Sequence, residues 1–437
     1  MVVDGEHGLV VSPAPPGPDP ARGVARKGVV IVGAGPAGLM AAEVLAGLGH
    51  AVTIYERMPS PARKFLMAGR GGLNLTHSEP RAHFLQRYRD STGVIAAAVT
   101  AYPPEALIAW VESLGIKTFT GSSGRVFPLE MKASPLLRAW LRRLAALGVT
   151  LETRHTWQGF DSQGRLLIAG PGGTVATLDA GAVLLTLGGG SWPRLGSDGA
   201  WVAPLAAAGV TIAPLVASNC GAEIAWTEMF RAKCEGEALK RIAITCNGMT
   251  QRGEAMITRR GLEGGAVYAL SSEIREALAR GPARVTIDLR PDIAVTELAS
   301  RLAKAAPKDS LANTLRKAAT LSPSAQSLLR EAGPPPRDPL ALATRIKNVP
   351  LTVTALSGTD RAISTAGGIT AEALDGTLLL TALPGVFAAG EMLDFDAPTG
   401  GYLLQAAFAT GTLAAHGIDS WLARAHVNTS QTAAAGR

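Results

Sequence analysis

The chain has 437 residues, 47% of them hydrophobic, and a formal net charge of +7. This hydrophobic content is enough for two or three packed domains and excludes a disordered or low-complexity chain. The longest mostly apolar run, residues 201–217, is interrupted by Pro204, Gly209 and Pro214, so we interpret it as a helix followed by a strand and expect no membrane-spanning segment.

The start of the chain and its cysteines both favour a cytoplasmic protein. Residues 1–27 are rich in proline and glycine and lack the basic start and apolar centre of a signal peptide. We predict that this segment is disordered. The cysteines never have CxxC spacing, so we expect neither a redox pair nor a metal site. They are Cys220, Cys234 and Cys246.

A dinucleotide-binding βαβ unit is predicted at residues 28–57. Val29–Val32 are typical of a fully buried strand, and a GxGxxG pattern follows directly. In such a unit the glycines permit a tight turn, close approach of a pyrophosphate and packing of the next helix on the strand. The helix N-terminus stabilises the phosphate charge, and an acidic residue after the second strand binds a ribose hydroxyl. The predicted cofactor contacts are Gly33, Gly35, Pro36, Ala37, Gly38, Glu56 and Arg57.

The next segment, residues 58–79, is predicted to be a long loop, and such loops inside compact domains are usually functional. Its predicted cofactor contacts are Lys64, Gly71, Gly72, Leu73, Asn74 and Thr76. The predicted catalytic residues are His77, Lys64 and Arg70. Imidazole can donate a proton near neutral pH, whereas the two cations, together with Arg125, would hold an anion. The plainer interpretation is a hydrogen-bonded loop histidine and surface cations.

Two more glycine turns follow buried strands. Gly188–Gly190 come after the strand at 182–187, and Gly390 follows the strand at 385–389. Turns at the carboxyl ends of parallel strands line one crevice, and FAD is long enough to contact all three. The predicted contacts are Gly188, Gly189, Gly390, Glu391, Asp394, Gly400, Gly401, Tyr402 and Leu403. The alternative is a tightly held NAD(P). Because a single full fingerprint is present, we favour FAD with NAD(P)H as a transient electron donor.

The predicted fold class is α/β, with a discontinuous Rossmann-type nucleotide domain. Its two parts, residues 28–200 and 365–424, enclose a β-rich insert at 201–292, a helical subdomain at 293–344 and a return strand at 345–364. Short strand patterns and proline-broken helical patterns support these boundaries. Residues 425–437 are predicted to be a disordered tail.

The helical part of the insert is strongly basic. Residues 301–347 contain nine lysines and arginines against three acidic residues. One interpretation is a solvated helical face. The other is a patch for a polyanion, for which ribosomal RNA is our candidate partner, with salt-dependent binding.

Several motifs together carry a resemblance to a bacterial family of NAD(P)/FAD-dependent oxidoreductases, the BaiN and ribosomal RNA dihydrouridine synthase type, and especially to a divergent flavoprotein branch of it. Besides the glycine turns, these motifs are the Arg63–Lys64 pair, residues 71–76, 124–128, 187–193 and 365–369, and the C-terminal segments 389–394 and 400–405. The resemblance implies a glutathione-reductase-like FAD domain interrupted by a β-barrel-like and a helical insert. It also implies reduction of a carbon–carbon double bond, in a ribosomal uridine or a steroid-like molecule.

Two departures from the family concern the substrate. The family usually has a cysteine before the loop asparagine, where this chain has Leu73. Its Thr-His-x-Gly-x-Ser-Gly-Pro segment is changed at residues 258–265. We therefore expect an FAD-dependent oxidoreductase, an NAD(P)H-driven reductase, with ribosomal uridine as the leading acceptor. The alternatives are a flavin-bearing RNA-binding or assembly factor with little turnover, and a small-molecule dehydrogenase or oxidase.

Overall fold

The structure is a computed structural model that describes residues 28–89, 93–306 and 308–435, with side chains described as far as residue 425. The predicted disordered segment 1–27 lies outside the described residues. No helix in the described ranges is by itself long and apolar enough to cross a membrane, although one pair bent by 48° passes on length and composition.

The first part of the chain contains the nucleotide-binding elements. In chain order they are β1 (Val29–Val32), α1 (Pro36–Gly47), β2 (Val52–Glu56), α2 (Arg63–Ala68), β3 (Thr76–His77), α3 (Arg81–Gln86), α4 (Val94–Ala101), α5 (Pro104–Ser113), β4 (Thr118–Thr120), β5 (Arg125–Pro128), α6 (Ala133–Ala146), β6 (Thr150–Thr153), β7 (Thr156–Phe160), β8 (Leu166–Ala169), β9 (Val175–Leu178) and β10 (Ala182–Leu185). The segment predicted as a plain loop at 58–79 thus contains a short helix and a short strand.

The inserted part follows as α7 (Val202–Ala207), β11 (Ile212–Ser218), β12 (Ala222–Glu223), α8 (Glu228–Cys234), β13 (Ala238–Cys246), β14 (Met249–Thr258), β15 (Gly261–Glu263), α9 (Gly265–Tyr268), α10 (Ser271–Leu278), β16 (Ala283–Asp288), α11 (Val295–Ala303), α12 (Leu311–Ala318), α13 (Pro323–Glu331), α14 (Pro339–Lys347), β17 (Val349–Val353) and β18 (Ala355–Leu356). The chain then ends with β19 (Ser364–Ile369), β20 (Val386–Ala388) and α15 (Tyr402–Ala435). The helix α15 continues to Ala435 and so includes most of the segment 425–437 that is predicted to be a disordered tail.

A parallel sheet with the order β20-β10-β1-β2-β6 forms the centre of the nucleotide domain. Val32 lies opposite Leu185, and Leu185 lies opposite Ala388. The three strands that precede the glycine turns therefore end side by side, as the pattern of buried strands predicts. The alternating pattern of residues 149–160 and 165–178 predicts antiparallel strands, but β6 pairs in parallel with β2, and the antiparallel sheet contains β7, β8 and β9.

The insert is built on a seven-stranded sheet with the order β17-β16-β13-β14-β15-β12-β18. Its two edge strands follow each other directly in the chain, since β17 ends at Val353 and β18 begins at Ala355. Because two residues span only about 7 Å, the edges must approach each other and the sheet must curl. This curvature is what the expected β-barrel-like insert requires.

The described residues form two separate hydrophobic cores. One is built from both parts of the nucleotide domain, and the other lies within residues 222–353. Leu298, Leu328 and Ile346, from the helices α11, α13 and α14, share the second core with Ile244 and Ile287 of the sheet. The basic helices thus pack on the seven-stranded sheet and have no core of their own.

A two-stranded antiparallel ribbon, β11 with β19, lies where the chain leaves and re-enters the nucleotide domain. Ser218 is paired with Ser364 at one end of the ribbon and Ile212 with Ile369 at the other. Both ends of the insert therefore lie next to each other in space.

Candidate functional site

A cavity of about 560 Å³ opens at the carboxyl ends of β1, β10 and β20. This volume is within the range of small-molecule and cofactor sites. All three predicted glycine turns contribute to its wall, and the first turn of α15 closes it on the side of the C-terminal motif. Residues that are up to several hundred positions apart in the sequence thus surround one elongated space.

The first glycine turn contains two glycines that close packing requires and one glycine that faces the cavity. A Cβ at Gly33 would lie 2.4 Å from the Thr186 carbonyl oxygen, and one at Gly38 would lie 2.2 Å from the Gly33 carbonyl oxygen. A Cβ at Gly35, in contrast, would meet no heavy atom within 4 Å. Gly35 is the N-cap of α1 and makes no side-chain cap. The space beside the N-terminus of α1 is therefore open, and a helix N-terminus suits an anion.

Glu56 at the end of β2 faces the same cavity. Its carboxylate accepts hydrogen bonds from the Ala34 and Met58 N–H groups, each at 2.8 Å. These bonds fix the carboxylate, and its remaining lone pairs can accept from a ribose. Arg57 beside it is held by Asp198 at 2.6 Å.

An ion pair links three segments of the wall. Lys64 on α2 donates to the two carboxylate oxygens of Glu391 at 2.9 and 2.6 Å and to the hydroxyl of Ser191 at 2.6 Å. Glu391 also accepts from the Thr365 N–H at 3.1 Å. The half-buried pair therefore fixes α2, the turn after β10 and the turn after β20 relative to one another. The charge of Lys64 is compensated by Glu391, and its catalytic role stays an untested prediction.

Several polar atoms of the cavity wall lack a partner. Arg63 Nε, Asn74 Oδ1 and Ser197 Oγ are buried and make no hydrogen bond, and all three residues line the cavity. An unpaired buried polar atom costs about 1–3 kcal/mol. A polar ligand that reaches these atoms would offset that cost. Together with the open helix N-terminus and Glu56, they fit a dinucleotide cofactor such as FAD.

The C-terminal motif closes the cavity through a close backbone contact. Gly401 has a φ of +98°, and a Cβ there would lie 2.5 Å from Thr76 Cα. Only glycine permits α15 to begin this close to β3. The neighbouring Gly400 lines both this cavity and a second one.

The second cavity, of about 580 Å³, lies between the nucleotide domain and the insert. Its wall includes His77, Arg125 and Tyr402 from the first domain and Glu273 from the insert. It meets the first cavity at Thr399 and Gly400, which line both. A small molecule in this space would therefore lie beside a cofactor in the first cavity.

Both ring nitrogens of His77 are occupied by backbone groups. Nδ1 accepts from the Glu79 N–H at 3.1 Å, so the proton is on Nε2, which donates to the Ser123 carbonyl at 2.9 Å. The ring also stacks on Tyr402, with centroids 5.7 Å apart. These contacts favour the plainer interpretation of a hydrogen-bonded loop histidine. The acid role stays an untested prediction.

Tyr402 donates to Glu79 at 2.5 Å, and Arg87 donates to the same carboxylate at 2.9 and 3.1 Å. Burial by itself would raise the pKa of Glu79, but the hydrogen bonds from Arg87 and Tyr402 outweigh it and lower that pKa. Burial and the Glu79 carboxylate raise the pKa of Tyr402. This cluster joins α15 to the segment between β3 and α3.

We expect Glu79→Gln to reduce the free energy of unfolding by about 1.5–3 kcal/mol at pH 7, because charge-assisted hydrogen bonds are lost. The folded-state pKa of Glu79 is lowered, so its stabilisation is present above the unfolded-state pKa and disappears as the pH falls through the folded-state value. Urea unfolding from pH 7 downwards should show the two proteins converging in acid. A constant difference across that range would contradict the assignment.

The structure brings most of the predicted cofactor residues together. Those lining the first cavity are Gly33, Gly35, Pro36, Ala37, Glu56, Arg57, Lys64, Gly72, Asn74, Gly188, Gly390, Glu391, Gly400, Gly401 and Leu403. Five predicted contacts line neither cavity: Gly38, Gly71, Leu73, Thr76 and Gly189. Tyr402 and His77 line the second cavity. Asp394 and Arg70 are exposed and line neither.

Sequence reasoning missed one wall of the first cavity. It is formed by His155 directly before β7, by Trp157 within β7, and by the turn at residues 196–198. The Gly-Ser-Asp-Gly run at 196–199 was a usable signal for that turn. His155 and Trp157 gave no such signal, because the alternation of side chains there is that of any strand.

The basic segment of the insert is partly neutralised. Arg301 is paired with Glu297, Lys317 with Asp309 and Lys347 with Asp288, and Arg345 donates to a backbone carbonyl. Five cations of the segment remain exposed without an ion pair to a described residue: Lys304, Lys308, Arg316, Arg330 and Arg337.

A parallel sheet with its glycine turns around one cavity defines a nucleotide-binding protein of the Rossmann type. The chain belongs to the HI0933-like family, whose Rossmann-domain profile matches residues 27–417. The predicted fold class and family resemblance are confirmed by this match and place the chain among FAD-dependent oxidoreductases.

Two curated relatives cover most of the chain. The ribosomal RNA dihydrouridine synthase of Escherichia coli strain K12 is 25% identical, over 87% of this chain and 95% of the relative. The 3-dehydro-bile acid delta(4,6)-reductase of Clostridium scindens is 26% identical, over 88% and 97%. A solved structure, the 3-ketosteroid-delta4-(5alpha)-dehydrogenase of Rhodococcus jostii RHA1, is similar with a TM-score of 0.48 and 15% identity, over 92% of this chain and 99% of that one.

Proposed function

We propose that this protein is an NAD(P)H-driven, FAD-dependent reductase of a carbon–carbon double bond conjugated to a carbonyl group. The observation that carries the proposal is the junction of the two cavities at Thr399 and Gly400. One cavity suits an elongated dinucleotide, and the other offers a separate space for an acceptor beside it. The names of both curated relatives, a synthase of dihydrouridine and a reductase, support the same type of reaction.

The residues of the first cavity have distinct roles in this proposal. The N-terminus of α1 at Gly35 holds the pyrophosphate, and Glu56 holds a ribose. The N-terminus of α15 at Gly401 places the positive end of a helix dipole where negative charge develops on reduction. Lys64 and Glu391 orient the turns. When bound, FAD supplies hydride transfer to and from its isoalloxazine ring.

Ribosomal RNA uridine is the leading acceptor. The five exposed, unpaired cations of α11–α14 and the loops between them support contact with a polyanion. The family's cysteine position supports no acid role here, because Leu73 is aliphatic and fully buried. The cytoplasmic location predicted from the sequence suits an RNA acceptor and is part of the proposal.

The test is to release and identify the cofactor, then to reduce it. We expect the denatured protein to release FAD, and stopped-flow mixing with NADH or NADPH to bleach the bound flavin within seconds. Ribosomal RNA from a deletion strain should lack one dihydrouridine by mass spectrometry. Absence of any releasable FAD contradicts the proposal, and bound FAD that neither donor reduces supports an RNA-binding factor with little turnover.

A small-molecule acceptor is the second candidate, favoured by the size of the second cavity, about 580 Å³. In that case we expect unchanged ribosomal RNA, binding to RNA that is weak or absent, and a small unsaturated ketone that perturbs the flavin spectrum on titration. The two candidates therefore differ in measurements that do not depend on each other.

A further inference from the structure

The second cavity contains one arginine whose charge is not compensated. Of the arginines on its wall, Arg87 is paired with Glu79, Arg89 with Glu273 and Glu276, and Arg252 with Asp292. The guanidinium of Arg125, on β5, makes neither an ion pair nor a hydrogen bond with any described residue. A Cβ built on Gly400, which lines both cavities, would lie 3.9 Å from Arg125 Nε. This cation is therefore at the junction with the cofactor cavity.

The insert contributes a hydrogen-bond acceptor that has no donor partner. Glu273 on α10 is 4% exposed and lines the same cavity. One of its carboxylate oxygens, Oε1, is held by Arg89. The other, Oε2, is buried and has no hydrogen-bond partner among the described residues. A buried carboxylate oxygen without a donor is costly, so a ligand that brings an N–H or O–H group to it is favoured.

We infer that the second cavity recognises an imide-type acceptor, a carbonyl conjugated to the double bond with an N–H group beside it, as in a uracil ring. Arg125 donates to the carbonyl oxygen, and Glu273 Oε2 accepts from the adjacent N–H. This inference rests on the proposed reductase function and adds the residues that select the acceptor.

The reaction balances with these two residues in place. A hydride, which originates from NAD(P)H, adds to the β-carbon, and the π electrons of the double bond move onto the carbonyl oxygen as an enolate. The guanidinium of Arg125 stabilises that negative charge. A proton from water then adds to the α-carbon as the enolate collapses, and NAD(P)⁺ is the oxidised product.

The experiment measures equilibrium binding of uridine and of 3-methyluridine, which lacks the N–H, to the oxidised holoenzyme by ligand-observed NMR. We expect the wild type to prefer uridine by about tenfold or more, and Arg125→Met to weaken uridine binding about 10- to 100-fold, the range for hydrogen bonds to charged groups. Glu273→Gln should remove the preference, since its amide keeps a contact with Arg89 but can place an N–H towards the ligand.

Arg252→Met is the matched control, because Arg252 is on the same wall but its guanidinium is held by Asp292 at 2.7 Å. It should change binding by less than about twofold. Flavin content and circular dichroism verify that each variant is folded. Equal effects of both arginine variants, or no binding of either nucleoside, overturns the inference. Reduction of the flavin by NADPH with ferricyanide as acceptor tests the proposed function separately, since it needs neither Arg125 nor Glu273.

Discussion

Gly35→Asp is expected to give a folded protein that contains no FAD. The backbone at Gly35 has φ −81° and ψ −179°, which any residue adopts, and its side-chain space is open. Aspartate is also a good N-cap residue, so α1 itself is not destabilised. Its carboxylate, however, would stand where the pyrophosphate approaches. Two like charges about 4 Å apart at an effective dielectric constant near 20 repel by about 4 kcal/mol, roughly a thousandfold in affinity.

The control is Gly47→Asp, at the last residue of the same helix. A Cβ there meets open space, and twelve residues of α-helix separate the two positions by about 18 Å. The same charge is added without approaching the cofactor. We expect a yellow control and a colourless Gly35→Asp protein, both with wild-type circular dichroism. If the Gly35→Asp protein keeps a full complement of FAD, the pyrophosphate does not bind at this turn.

Gly401→Ala is expected to cause the largest loss of stability, about 2–5 kcal/mol. At a φ of +98° the new Cβ is strained, and it would lie within 2.7 Å of the Thr76 N, Cα and C atoms. Backbone strain contributes about 1–2 kcal/mol, and overpacking about 1–3 kcal/mol. Backbone atoms cannot rotate away as a side chain can, so α15 must shift at the point where it lines the cofactor cavity. Urea unfolding of the apoprotein and FAD occupancy should both report the change.

Gly49→Ala separates the two contributions. Gly49 has a φ of +86°, but a Cβ there meets nothing within 4 Å. This variant should lose only the backbone term, about 1 kcal/mol, with normal FAD content. If the two variants lose equal stability, the contact between Gly401 and Thr76 contributes nothing.

The parts of the fold that could be read from the sequence are those encoded locally. Buried strands such as Val29–Val32 are short β-branched runs, and the glycine spacing of the first turn has one well-known packing reason. Because the carboxyl ends of neighbouring parallel strands lie side by side, the turns that follow these strands also lie close together. This is why most of the cofactor contacts predicted from the sequence line the first cavity.

The second cavity could not be predicted, because it depends on contacts between distant segments. Glu79 and Tyr402 are 323 positions apart, and neither belongs to a pattern that points to the other. The errors were local as well. The helix α2 has no side-chain cap at its N-terminus, so the segment at 58–79 gave no start signal. Thr150–Thr153 has the same alternation in a parallel or an antiparallel pair.

The ribbon of β11 and β19 makes the insert a self-contained cassette. Ser218 and Ser364 face each other across the ribbon, and everything between them outside the linking loops packs around a core of its own. If the residues between these two serines were replaced by a tight turn, the insert would be removed and the strands of the nucleotide sheet would stay connected. The same geometry allows a different module to be grafted at that point while the nucleotide-binding domain is kept.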